Sequence, residues 1–114
     1  MQRDTAVLVD IVLACREISR FIAGLNREQF AANSLVRSAV IYQLQVIGEA
    51  TKRLSEEFRD NHPAIRWKEM AGMRDRLIHH YDDINLDIVW QVASEEVPAL
   101  LAQLEPLIPP EGDS

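Results

Sequence analysis

The chain is poor in the residues that crosslink, break or stiffen a fold. Cys15 is the only cysteine among 114 residues. That excludes an intrachain disulfide and a cysteine-based zinc site within one chain. No apolar run approaches the roughly 20 residues that a membrane-spanning helix requires, so no membrane partner is expected. The start carries Arg3 and Asp4, then a helical pattern that includes Arg16 and Glu17. The order of a signal peptide is missing there, and a reducing cytoplasmic setting is expected. Strand-like alternation of apolar and polar residues is absent. From Asp82 to Ser114 there is no Lys or Arg at all.

What is present describes one globular domain. The apolar fraction is 47% and the charged fraction 26%, ordinary for a folded protein. The predicted domain spans 1–108, and the Pro- and acid-containing tail 109–114 is expected to be disordered. The net charge of −6 argues against a general nucleic-acid coat. It conceals an asymmetry, because eight of the 18 acids lie beyond Tyr81. The first 81 residues hold the other 10 acids and all 12 basic residues, a net of +2. Local phosphate binding by this part stays open, whereas a broad RNA-binding surface does not.

Apolar spacing predicts an all-α fold, an antiparallel bundle of four main helices. The first covers about Asp4 to Ala23, with Leu8, Ile11, Val12, Cys15, Ile18 and Ile22 on one face. Asp4 is its candidate cap and Gly24 its stop. After a connection from Asn26 to Ala32 with room for one helical turn, a second helix runs from Asn33 or Ser34 to about Arg59. Its core stripe is Val36, Val40, Ile47, Leu54 and Phe58, with Ala39 and Ala50. A second face, Arg37, Ile41, Leu44, Gly48, Thr51 and Ser55, reads as a homodimer seam, since small residues let another helix approach. His62-Pro63 interrupts the chain. A third helix starts near Ile65 to Trp67 and continues toward Tyr81. Asp82 to Asn85 is a polar turn, with Asn85 as N-cap for the fourth helix. That helix carries Leu86 to Ile108, and Pro98 should bend or divide it near Ser94.

The chemistry concentrates in Arg74, Asp75, Arg76, His79, His80 and Tyr81. The planar fork of Arg suits phosphate, and His exchanges protons near neutral pH. Together with the Tyr hydroxyl they suffice to bind a phosphodiester and move protons at it without a metal. RNA cleavage is the natural reaction, because the 2′-OH is an internal nucleophile. On a continuous helix, however, Arg74 and His79 project about 140° apart, while Arg76 and His80 share a face. Arg74 and His79 converge only if the helix unwinds after Ile78 or a second subunit contributes. The competing reading is a set of surface cations offsetting a helix C-terminus.

Arg-x4-His-x-Tyr, here Arg74, His79 and Tyr81, resembles the signature of the HepT toxins within the HEPN superfamily. Val46–Ala50, Pro63–Trp67, Ala71–His79 and Val89-Trp90 resemble that family's blocks in the same order, over roughly Thr5 to Ile108. The resemblance implies a dimeric helical bundle with sites near the dimer interface. It also implies a metal-independent endoribonuclease acting as the toxin of a toxin–antitoxin pair. The implied partner is an MntA-type minimal nucleotidyltransferase, which inactivates the toxin by adding AMP to the motif tyrosine, here Tyr81. By the same resemblance Arg74 binds the scissile phosphate and His79 is general acid or base. Asp75 stands where relatives usually carry Asn, so it is expected to pair with Arg76 or to weaken phosphate attraction. The alternative function is a non-catalytic, nucleotide- or substrate-binding helical partner of such a transferase.

Several residues carry plainer readings. Glu49 shares a polar strip with Gln45 and Lys52 and is a supporting site candidate. Asp75, Arg76 and His80 are kept on the same footing. Arg37 is expected at the dimer seam. His62, His79 and His80 lack metal-binding spacing, so no metal or other cofactor is expected. Trp67 and Trp90 read as core aromatics, and Cys15 as a small buried hydrophobe.

Overall fold

A computed structural model describes residues 2–80 and 83–109, apart from the side chains of 2, 79 and 80. The described residues are helical except for connections and one short pair of strands. Helix α1, Gln2–Ile22, buries Leu8, Ile11, Val12, Cys15 and Ile18, each 1% exposed or less. This is the expected stripe, and it packs against α3, Ser34–Lys52. Gly24, at φ +79°, ends α1 in the left-handed turn that glycine adopts without a Cβ penalty. Helix α2, Arg27–Ala32, opens on a reciprocal cap: the Gln29 amide donates to Asn26 Oδ1 and the Asn26 amide to Gln29 Oε1. Its Phe30 is fully buried, with its ring 5.3 Å from that of Trp90.

The second predicted helix is shorter than its apolar spacing suggests. It stops at Lys52, and a separate helix α4 spans Glu56–Asp60. The cause lies 51 residues earlier. The buried Asp4 carboxylate accepts from the Ser55 amide at 2.8 Å and from its hydroxyl at 2.7 Å. That pins Ser55 in an extended conformation, from which its Oγ caps α4. Asp4 therefore lies within the first turn of α1 and ties down a distant break, rather than capping its own helix. These hydrogen bonds, the backbone one foremost, hold its carboxyl below the usual range.

The expected dimer seam is also revised. Leu44, Gly48 and Thr51 are buried within this chain. A Cβ on Gly48 would meet the Met70 carbonyl oxygen at 3.2 Å and the Met73 Cβ at 3.3 Å. The small residue thus admits a neighbour from its own chain, and the Thr51 hydroxyl is satisfied by the Ile47 carbonyl. Arg37 donates to the Ala31 carbonyl oxygen of its own chain.

The third predicted helix is two short ones, α5 (Trp67–Ala71) and α6 (Met73–Leu77), parted at Gly72. The chain leaves helical geometry at Ile78, with φ −112° and ψ 110°. Ile78–His80 forms β1 and pairs antiparallel with β2, Asp83–Ile84, so the strand content absent from the sequence pattern is small but real. Ile78 opposes Ile84, both half-buried against the core. The Asn85 amide bonds the Leu77 carbonyl at 2.9 Å, and the Asn85 side chain caps α7, Leu86–Gln91. Two β-branched residues that pack only if the chain reverses therefore outweigh continuation of the helix.

Pro98 acts as expected. Its missing N–H is accommodated by a π-helical turn, Val92–Glu96, before α8, Val97–Leu104. The wide turn keeps Val92, Ala93 and Val97 all buried. A 3-10 turn, Glu105–Leu107, closes the described chain, with Glu105 bonded to Arg16 of α1 at 2.7 Å. No helix among the described residues is long and apolar enough to cross a membrane. Of the expected tail, 110–114 lie outside the described residues.

Candidate functional site

The α5–α6 segment has a cavity on each side. The smaller, about 360 Å³, is a cleft lined by Gln45, Gly48 and Glu49 of α3 facing Ala71, Arg74 and Ile78. It exists because Gly48 lets the carbonyl-rich junction of α5 and α6 press against α3. A larger side chain there would push the Arg74 wall away from the Glu49 wall.

Arg74 is exposed at this cleft and, among the described residues, makes no ion pair. Glu49 reaches the cleft from the opposite wall. Its partner is Lys52, one turn along at 3.3 Å, and both side chains are largely in water. Such a pair holds its members weakly. Gln45 lies one turn before Glu49 and adds a neutral amide. Sequence reading flagged Gln45 and Glu49 as a polar strip, yet gave Gln45 no part in the site. The missing signal was the tertiary contact at Gly48.

Arg76, two residues on, faces the other way. Its two terminal nitrogens each meet one oxygen of Glu96 at 2.9 Å, a bidentate pair across to the π turn. Hydrogen bonding raises the Arg76 pKa further and lowers that of Glu96. Arg76 therefore pairs with Glu96, not with Asp75, and lines the larger cavity of about 450 Å³ with Arg66, Glu69 and Glu96 above Met70 and Met73. Asp75 itself is exposed. The expected grouping of Arg76 with His80 on one helical face lapses, since His80 is in β1.

The backbone of His79 follows Ile78 directly in β1, so it continues from a residue that lines the Arg74 cleft. The 140° separation that a continuous helix would impose no longer applies. The side chains of His79 and His80, and the whole of Tyr81, lie outside the described residues.

The remaining candidates are structural. The His62 ring lies tilted against that of Phe58, centroids 4.6 Å apart, and the His62 carbonyl accepts from the Trp67 indole at 2.9 Å. Cys15 is fully buried, and burial pushes its thiol up to about 12, so it stays protonated at neutral pH. Among the described residues no group of three or more His, Cys, Asp or Glu side chains could hold a metal ion.

The fold is thus all-α, with Arg74, which has no ion pair among the described residues, in a cleft beside the strand that carries His79. Residues 11–107 match the family described as Ribonuclease HepT-like. The chain belongs to the HepT-like ribonuclease family. It is similar to a protein named "Putative RNase" from Caldanaerobacter subterraneus subsp. tengcongensis, with 35% identity over 108 residues, 95% of this chain and 96% of that one. It is likewise 38% identical over 100 residues to a protein named "Probable ribonuclease HepT" from Thermococcus cleftensis, covering 88% of this chain and 91% of the relative. A relative named "Putative RNase" from Methanocaldococcus jannaschii is 39% identical over 103 residues, 90% of this chain and 85% of its own. No solved structure gives a significant match.

Proposed function

We propose that this chain is a metal-independent endoribonuclease, the toxin of a HepT/MntA-type toxin–antitoxin pair, acting through Arg74 and His79. The observation that carries the reading is the exposed Arg74, without an ion pair among the described residues, in a cleft whose wall runs on into the strand bearing His79. Membership of a ribonuclease family supports RNA as the substrate. Arg74 binds the scissile phosphate and offsets the charge that builds in the transition state. His79 exchanges a proton with the reacting oxygens.

Tyr81 is the residue at which the partner transferase adds AMP. Each added phosphate brings negative charge and bulk two residues from His79, which blocks a polyanionic substrate. A homodimer is part of the same reading. With Leu44, Gly48 and Thr51 buried internally, a second copy docks on the outward strip of α3, where Leu35 is 79% and Tyr42 63% exposed. That strip runs on toward Gln45 and Glu49 at the cleft.

Cleavage of total cellular RNA by purified wild type, Arg74→Ala and His79→Ala tests the site. Activity in the wild type and none in either variant is expected, and wild-type rates in both variants overturn the assignment. Binding of nucleotide without any cleavage favours a non-catalytic partner of the transferase. For Tyr81, coexpression with the neighbouring transferase gives AMP-sized mass additions that vanish in Tyr81→Phe. For the dimer, Tyr42→Glu shifts the sedimenting species to a monomer.

A further inference from the structure

We infer that Glu49 is the general base of the cleavage reaction, which leaves His79 as the general acid; the inference rests on the nuclease reading above. Among the described residues Glu49 is the only carboxylate lining the cleft, and it comes from α3, the wall facing Arg74 and Ile78, the first residue of β1. Cleavage by the 2′-OH is an in-line displacement, so the attacking and leaving oxygens lie on opposite sides of phosphorus. One group at one wall cannot serve both oxygens well, and acid and base are best held on separate elements. The elements are separate here: Glu49 stands on α3 with the Arg74 guanidinium across the cleft, and the backbone of His79 follows Ile78 in β1.

The sign of the charge strengthens the case. A cleft built only to hold a phosphate gains nothing from a carboxylate, which repels it. Nor is Glu49 required by the fold. Its side chain is 71% exposed, and Lys52, its one ion-pair partner among the described residues, is itself largely in water. An anion that is unhelpful for binding and idle for folding is suited to accepting a proton.

The step balances without a co-reactant. The Glu49 carboxylate takes the 2′-OH proton as the 2′ oxygen forms its bond to phosphorus. The bond from phosphorus to the 5′ oxygen breaks, and the leaving oxygen takes the proton of the His79 imidazolium. Arg74 carries the added charge of the five-coordinate phosphorus. The products are a 2′,3′-cyclic phosphate and a 5′-hydroxyl, and exchange with water resets both side chains.

The test is cleavage of a mixed-sequence 20-nucleotide RNA pool by wild type, Glu49→Gln, Glu49→Asp and Glu49→Ala, across pH and with or without formate. Glu49→Gln is expected to lower kcat by about 10²–10⁴-fold, the usual span for a lost general base, with KM unchanged or lower. Its rate should climb with hydroxide where the wild type is flat. Glu49→Asp should recover part of the rate, and formate should restore part of it to Glu49→Ala. Melting temperatures close to wild type are expected, because the side chain is exposed. Glu49→Gln cutting as fast as wild type, or faster, overturns the inference while inactive Arg74→Ala and His79→Ala leave the nuclease reading standing. A wild type that cuts no RNA overturns both.

Discussion

Arg74 and Arg76 are two residues apart on a five-residue helix and meet opposite fates. Arg76 is committed to structure, its fork closed on Glu96 of the π turn. Arg74 stands unpaired among the described residues, at a cleft whose other wall carries Glu49 and Gln45. Two positions on a helix are about 200° apart, so the same residue type reaches opposite sides of one element. The difference shows that the count of cations in a motif says little about function. What matters is which of them has been left without a carboxylate.

Four changes break or sharpen this contrast. The largest effect is expected from Arg74→Ala, which should lower RNA cleavage by about 10²–10³-fold, the usual loss for one transition-state donor. Its melting temperature should stay near wild type, because an exposed, unpaired side chain supports little of the fold. Cleavage retained in that variant would erase the distinction between the two arginines.

Gly48→Leu comes next. Methyl groups would have to enter where a Cβ alone already meets the Met70 carbonyl at 3.2 Å. Overpacking of about 1–3 kcal/mol is expected by denaturant unfolding. Residual activity should fall further than the loss of folded protein explains, since the two walls of the Arg74 cleft are forced apart.

Asp4→Ala removes the buried acceptor that pins Ser55, leaving two half-buried donors unpaired at a cost of about 1–3 kcal/mol. The wild type should show a matching acid limb. Because folding lowers the Asp4 pKa, its contribution is fully present above the ordinary carboxyl value of 3.8. It is lost as pH falls through the lower folded value. Unfolding midpoints of wild type and Asp4→Ala should therefore converge below about pH 4. This carboxylate is far from the arginines in the chain, so cleavage per folded molecule should hardly change.

The smallest effect is predicted for Glu96→Gln. The Arg76–Glu96 pair is bidentate, but its side chains are 31% and 42% exposed. Screening by water limits the loss to roughly 0–1 kcal/mol. A loss of several kcal/mol, read by thermal unfolding, would mean that the pair is more than a clasp between α6 and the π turn.

The helical class, the α1 stripe and the signals at Gly24, Asn85 and Pro98 were legible because each rests on local physics. Periodicity, side-chain caps and a missing N–H act within a few residues. The break at Arg53–Ser55 was not legible, and that at Ile78 stood only as one of two ways for Arg74 and His79 to converge. The first is imposed by Asp4 from 51 residues away, the second by packing of Ile78 against Ile84 after a chain reversal. Both fell inside segments whose apolar spacing suits a longer helix. The same limit governs the site. Arg74 was identified through its motif, whereas the commitment of Arg76 to Glu96 and the approach of Glu49 through Gly48 depend on contacts that spacing does not encode. Thr51 and Leu44 looked like a seam for a second molecule because a sequence does not say whose helix a small-residue face receives.

The account turns on one phosphodiester being held by the Arg74 guanidinium and the His79 imidazole together. Nuclear magnetic resonance of labelled arginine and histidine side chains, titrated with an RNA analogue that carries 2′-deoxy sugars and cannot be cut, reads this directly. The Arg74 and His79 signals should move in step, with one apparent Kd, while those of Arg76 stay where Glu96 holds them. Movement of Arg76 with Arg74 unmoved, or of Arg74 without His79, would contradict the account.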